Sequence, residues 1–272
     1  MPLSRTRCTL ATTLIFSTAF SAVTEADPIP VHHTQGALHA FLVVRSQTGA
    51  TLGYGEITQI ADGDHITDHL VYRFRDGSLD DETTIYTQGK TFQFLSDHHI
   101  QRGPFFAKPS EITVEANGQV TTITPSKNGP HKVETQHIDL PPDISNGMMC
   151  ALIANIDPNG PGVRLTMVIP SMGKGRLIHL DIAPDSHASF TVAGTPRKAT
   201  VFRMKIDLGG VAGVVAPIIG KQPSDIFLWV LEGDPPLFVR EVGQLSEGGT
   251  IVSIEFAGTS FPRSTGPPPK AK

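Results

Sequence analysis

The sequence predicts a mainly β fold: one large antiparallel sheet forming an open barrel or sandwich, with one central amphipathic helix and a short apolar helix or loop. Three observations predict it. Apolar and polar residues alternate with period two along run after run, the pattern of strands with one buried and one wet face. Turn pairs such as Asp62-Gly63 and Asn117-Gly118 fall between the runs and supply the positive φ of tight hairpins. One segment breaks the alternation and repeats at i, i+4 instead, as a helix does.

In chain order, residues 1–26 read as a secretory signal. Arg5 and Arg7 precede an uncharged stretch from Thr9 to Val23, and Thr24-Glu25-Ala26 offers a cleavage site near Ala26. The stretch is too short and too rich in Thr and Ser for a membrane span. The expected location is therefore secreted or periplasmic. Cleavage would remove Cys8 and leave Cys150 as the single cysteine, so no internal disulfide is available. Residues 27–258 then form a single β-rich domain with a large core. No later run of apolar residues is long enough to cross a bilayer as a helix, and the mature protein is not expected to span a membrane.

The domain divides into strand-rich halves, 31–140 and 162–258, joined by a helix over 143–156. In the first half Leu70, Tyr72 and Phe74 alternate with Arg73 and Arg75. In the second, Leu165, Met167 and Ile169 form one such run, Ile178, Leu180 and Ile182 another, and Phe202, Met204, Ile206 and Leu208 a third; Val252, Ile254 and Phe256 close the series. About a dozen strands are expected on these rules. The helix places Ile144, Met148, Leu152 and Ile156 on one face, with Asp143 as its N-terminal cap and Asp157-Pro158 as its stop. Leu208 to Gly220 carries no polar side chain and reads as buried connector, flap or membrane contact. Asp225 to Leu231, with Trp229, is apolar on both faces and belongs in the middle of the sheet. Residues 259–272 are Pro-rich and read as a disordered tail.

Function classes narrow by missing parts. A net charge of −4 gives no basic field for nucleic acid. His65 and His69 share a strand face but stand roughly 13 Å apart at ~3.3 Å per residue, and His98 and His99 point to opposite faces, so no metal site is expected. Asp80-Asp81-Glu82 cannot form an acid/base pair from neighbours on one strand, so any pair would come from two strands. The glycine-rich stretches fail the phosphate-loop order, and no nucleophile elbow occurs. Cys150 reads as a packing residue. No catalytic residue and no cofactor is assigned.

Four stretches carry a resemblance: Tyr72-Arg-Phe-Arg-Asp-Gly-Ser-Leu-Asp-Asp-Glu-Thr-Thr-Ile-Tyr86, Phe94-Leu-Ser-Asp-His-His-Ile-Gln-Arg-Gly-Pro104, Leu140-Pro-Pro-Asp-Ile-Ser-Asn-Gly147, and Asp207 through Asp225 with its Leu-Gly-Gly-Val-Ala-Gly-Val-Val-Ala-Pro core. Together they resemble a family of uncharacterised secreted bacterial β-rich proteins over roughly 36–258. The layout is similar to that of the open-barrel periplasmic lipoprotein carriers. A helix laid on the concave face of a curved sheet leaves an apolar cavity between them, so the expected function is a non-enzymatic cell-envelope protein holding a lipid or acyl chain there. Met148, Met149 and Leu152, with Val211, Val214, Val215, Ile218 and Ile219, are the expected lining. An envelope scaffold that binds a protein partner, and an envelope-polymer hydrolase, are the alternatives.

Overall fold

The computed structural model describes residues 28–126, 129–209 and 223–262. The predicted signal sequence and the apolar lining candidates Val211, Val214, Val215, Ile218 and Ile219 lie outside the described residues.

Alternation produces what it predicts, an antiparallel sheet. Its first part is a meander of β1 (Leu38–Ser46), β2 (Thr51–Asp62), β3 (His65–Phe74), β4 (Leu79–Gln88), β5 (Phe92–Arg102), β6 (Ser110–Glu115), β7 (Gln119–Thr124) and β8 (Lys132–His137), each hydrogen-bonded to the next. Gly63, Gly77 and Gly118 turn three of these hairpins at positive φ, the role their Asx-Gly pairs predict. The second part is another meander: β9 (Val163–Ser171), β10 (Lys174–Val192), β11 (Thr195–Asp207), β12 (Ile226–Leu231), β13 (Leu237–Gln244) and β14 (Ile251–Phe256). β14 pairs with β1, Leu42 opposite Phe256 and Val44 opposite Ile254, so both halves form one sheet. A short β15 (Thr259–Ser260) adds to β10 at Thr191 and Val192, making fifteen strands. Phe261 stacks on Phe190. Residues 259–261 are thus ordered rather than part of a tail: Phe261 packs with Phe190 and Trp229 in a small cluster that also holds Ala199, Leu231 and Val239.

The sheet rolls until its two ends meet without a backbone ladder between them. Thr122 donates through Oγ1 to the carbonyl of Gly173, and Gln136 Nε2 donates to that of Gly175 at 2.6 Å. Gly175 has to be glycine for this approach: a Cβ would stand 2.6 Å from Val120 Cγ1. The result is an open barrel.

The predicted helix over 143–156 is not formed. Only Met149–Ile153 is helical (α1). Residues 143–146 run extended along the free edge of β9 instead. Ser145 N–H donates to Thr166 O at 2.8 Å, and Thr166 N–H donates to Asp143 O at 3.2 Å. The Asn146 side chain completes the pairing, accepting from Val168 N–H and donating to Val168 O, both at 2.8 Å. Asp143 accepts from the Thr166 hydroxyl rather than capping a helix. Gly147 then turns at φ +62, where a Cβ would overlap Thr84 Oγ1, so a continuous helix is excluded at that point. The i, i+4 pattern is real, but its residues go to two places. Ile144 packs with Ile112, Val114, Val120 and Val168. Met148, Leu152 and Ile156 enter the main core with Leu165, Leu180, Ile182, Phe202 and Leu228. The segment is a plug inserted into the rolled sheet. Asn155 anchors its far end by accepting from the backbone N–H groups of His32 and His33 at 2.8 and 2.7 Å.

Candidate functional site

Strand periodicity puts Asp80, Glu82, Thr84 and Tyr86 on the inner face of β4 and turns Asp81 outward, where it meets His69. The register brings inward polar residues of the neighbouring strands beside them. Tyr72, Asp80 and Gln101 lie in one row; Leu70, Glu82 and His99 in the next; Asp68, Thr84 and Asp97 in a third. Across the interior, Glu241 of β13 sits between Leu228 and Ile254 on the inner face. Gly55 makes room for the Tyr72 ring, whose Cδ1 would lie 2.5 Å from a Cβ there.

The imidazole of His99 faces two carboxyl groups. Its Nε2 is 2.7 Å from Asp80 Oδ1, and its Nδ1 is 3.7 Å from Glu82 Oε1. Gln101 Nε2 donates to Asp80 Oδ2 at 2.9 Å and to Leu245 O at 2.8 Å. Nearer the plug, Asp97 accepts from the Thr84 hydroxyl at 2.9 Å and from Asn146 at 3.4 Å, which fastens the plug to the wall. Asp68 accepts from the Tyr86 hydroxyl at 3.1 Å through Oδ2, while its buried Oδ1 has no hydrogen-bond partner.

These groups line an internal recess. Glu82 and His99 are half-buried there, with 20% of one side chain and 25% of the other accessible. Cys150 and Glu241 are likewise only partly buried. The recess lies between two apolar clusters that share Cys150 and Phe256 at their boundary.

Electrostatics follow from burial. Desolvation pushes Glu82 up to about 8 against the attraction of His99. Burial pushes Asp68 up to about 7 despite the Tyr86 hydrogen bond, and Glu241 up to about 7, aided by Asp80. Asp97 is also raised by burial, although His99, Thr84 and Asn146 pull the other way. For His99 burial favours the neutral ring, but Glu82 and Asp80 outweigh it and push the imidazole up to about 10. The site can therefore hold protons near neutrality on several carboxyl groups around one imidazolium. Burial and the surrounding acids raise the Cys150 thiol, which leaves it a poor nucleophile. Among the described residues no group of three His, Cys, Asp or Glu side chains is placed to hold a metal ion.

Of the lining residues predicted from sequence, Met148 and Leu152 are buried in the main core, and Met149 is half-buried against it beside Cys150. His98 and His99 do point to opposite faces, as their adjacency predicts: His98 pairs with Glu111 on the outside at 2.9 Å, and His99 turns inward to Asp80. Asp68 and Glu241 are not singled out by the sequence, and Glu82 enters it only as part of the acidic run Asp80-Asp81-Glu82. The available signal was a polar set, Asp80, Glu82 and Thr84, on one phase of a strand whose other phase, Asp81, Thr83 and Ile85, looked no more exposed.

A separate groove of about 440 Å³ opens where β9, β10 and β11 meet, lined by Arg164, Asp181, Arg203 and Lys205 among others. Its guanidinium groups are already engaged: Arg164 with Asp181 and Asp207, Arg203 with Asp225. The recess, not the groove, holds the unusual chemistry.

No family model matches the chain, and no curated protein matches it. Among solved structures, the chain is similar to a beta-barrel-like protein of a domain of unknown function, DUF1849, from Brucella abortus. The two are 9% identical with a TM-score of 0.44, over 85% of this chain and all of that one.

Proposed function

We propose that this is an exported, non-enzymatic protein of the cell envelope that holds a ligand with an apolar body in the recess between the rolled sheet and its plug. One observation carries the reading: Glu82, His99, Cys150 and Glu241 keep accessible surface inside the sheet, between two apolar clusters. A protein that only scaffolds loops has no need of polar side chains facing an internal space, since each costs desolvation energy. Apolar walls with a few convergent polar groups are the usual composition of a small-molecule site. The leader-like residues 1–26 support export.

Native mass spectrometry of the protein purified from the envelope fraction tests this. Added mass that disappears on denaturation is expected, and the stripped protein should then take up an apolar fluorescent dye. Bare protein mass together with no dye uptake would overturn the reading.

A further inference from the structure

Within that reading, we infer that the ligand carries a cationic head, an amine or a similar hydrogen-bond-donating cation, and that the head is bound by the acid-lined wall of the recess.

The inference starts from an imbalance. Asp68, Asp80, Glu82, Asp97 and Glu241 are five inward carboxyl groups from β3, β4, β5 and β13, and His99 is the cation among them. The titratable groups that face this space also include Tyr72, Tyr86 and Cys150, none of which brings positive charge. His99 is consumed by Asp80 and Glu82. Asp97 is consumed by Thr84 and Asn146. Glu241 and one oxygen of Asp68 are left over.

The Asp68 oxygen is the independent sign that a donor belongs there. Asp68 is only 5% exposed, its Oδ1 is out of reach of solvent, and it has no partner. A buried acceptor left empty keeps its desolvation penalty uncompensated, and buried polar groups are nearly always paired. Asp68 and Glu82 lie in successive rows of the same inner face of β3 and β4, and Glu241 stands on the inner face of β13 between Leu228 and Ile254. A donor placed along that wall would find acceptors in excess. An anionic head, such as a fatty-acid carboxylate or a phosphate, would meet repulsion from the same groups. A neutral apolar chain would leave Asp68 as it is.

Proton linkage gives this a signature. A cation beside carboxyl groups that hold protons near neutrality favours their charged forms, so binding must expel protons.

The test uses the full mature chain, stripped of ligand, and three probes with one eight-carbon tail: octylamine, octanol and octanoate. Isothermal titration at pH 7 should show octylamine binding at least tenfold more tightly than either of the others. Repeating it in buffers of different ionisation enthalpy should show proton release with octylamine and none with octanol. Glu241→Gln and, separately, Asp68→Asn should each bring the amine-to-alcohol affinity ratio several-fold towards one; circular dichroism checks that each variant is folded. Octanol or octanoate binding as tightly as octylamine, or amine binding without proton release, would overturn the cationic head and leave the apolar-ligand reading standing. Failure of all three probes to bind would overturn both.

Discussion

The two walls of the barrel interior are built on opposite principles. The wall made by β9 to β12 points Leu165, Leu180, Ile182, Phe202, Leu228 and Val230 inward, and every one is buried against the plug or its neighbours. The wall made by β3 to β5 points Asp68, Asp80, Glu82, Asp97, His99 and Gln101 inward, in the same alternating geometry. The first wall does the work of folding, through apolar area removed from water. The second works against folding, because each carboxyl group and the imidazole must be desolvated. The two walls teach that the fold does not need its polar stripe. A sheet of this size would be at least as stable with leucines there, and the stripe is where the proposed ligand is placed.

The contrast can be broken at its strongest point first. Leu228→Ala removes a fully buried side chain from the apolar wall. It should lower unfolding free energy in urea by about 2–5 kcal/mol. Glu82→Leu, its counterpart on the polar wall, should be neutral or raise stability by about 1–3 kcal/mol. Equal losses at both positions would mean that the stripe is structural.

Gly147→Ala comes next. The position lies at φ +62 with Thr84 in the space a Cβ would take. Displacing the plug should cost about 2–3 kcal/mol, and the loss should be mirrored by faster hydrogen exchange at Val168, whose amide the Asn146 side chain holds.

The polar wall also predicts an unusual pH profile. Asp68, Glu82 and Glu241 have folded values of about 7, 8 and 7, above their ordinary ones. Above about pH 4 the unfolded chain gives up these protons while the folded chain keeps them, so stability falls as pH rises towards about 8. His99, raised to about 10, acts in the same direction: its contribution is complete below its ordinary value near 6.5 and is lost as pH rises through about 10. Urea melts should therefore show greater stability at pH 5.5 than at pH 8.5, and Glu82→Gln should flatten the slope by on the order of 2 kcal/mol. A profile that rises from pH 5.5 to 8.5 would contradict the placement of these groups.

The smallest effect belongs to an adjacent pair. His98 is paired with Glu111 on the outer face and largely exposed, so His98→Ala should change stability by less than about 0.5 kcal/mol. His99→Ala, one residue on, leaves Asp80 and Glu82 facing each other without a cation and should cost several times more at pH 7.

Much of the fold was legible in the residues themselves. Phe202, Met204 and Ile206 alternate with Arg203 and Lys205, and β11 carries them inward and outward as that pattern requires. Asp62-Gly63, Asp76-Gly77 and Asn117-Gly118 mark true hairpins, whereas Asn159-Gly160 lies between α1 and β9. The plug was misread because period 3.6 reports only which residues are buried together. Ile144 and Met148 are both buried, but the glycine between them turns the chain between two clusters. The site was not legible for a different reason. Asp80-Asp81-Glu82 is charged on both phases, so alternation cannot choose an inner face. That choice is made by the register with His99 and by Glu241, more than a hundred residues further on, reaching across the interior.

The seam between β1 and β14 has a kinetic consequence. Within each meander a strand pairs with its predecessor, which closes only short loops. The seam joins Leu42 to Phe256, and its loop-closure entropy is met only when nearly the whole chain is present. Before it forms, Glu82 and His99 belong to one meander and Glu241 to the other, so these groups come to face one interior only once the two meanders are joined. Stopped-flow refolding should accordingly slow between pH 5.5 and 8.5, because the ionised carboxyl groups must take up protons as they are buried and protons grow scarcer; a refolding rate indifferent to pH would place the cost after the barrier. The acids that give the recess its chemistry thus also set how readily the barrel closes around it.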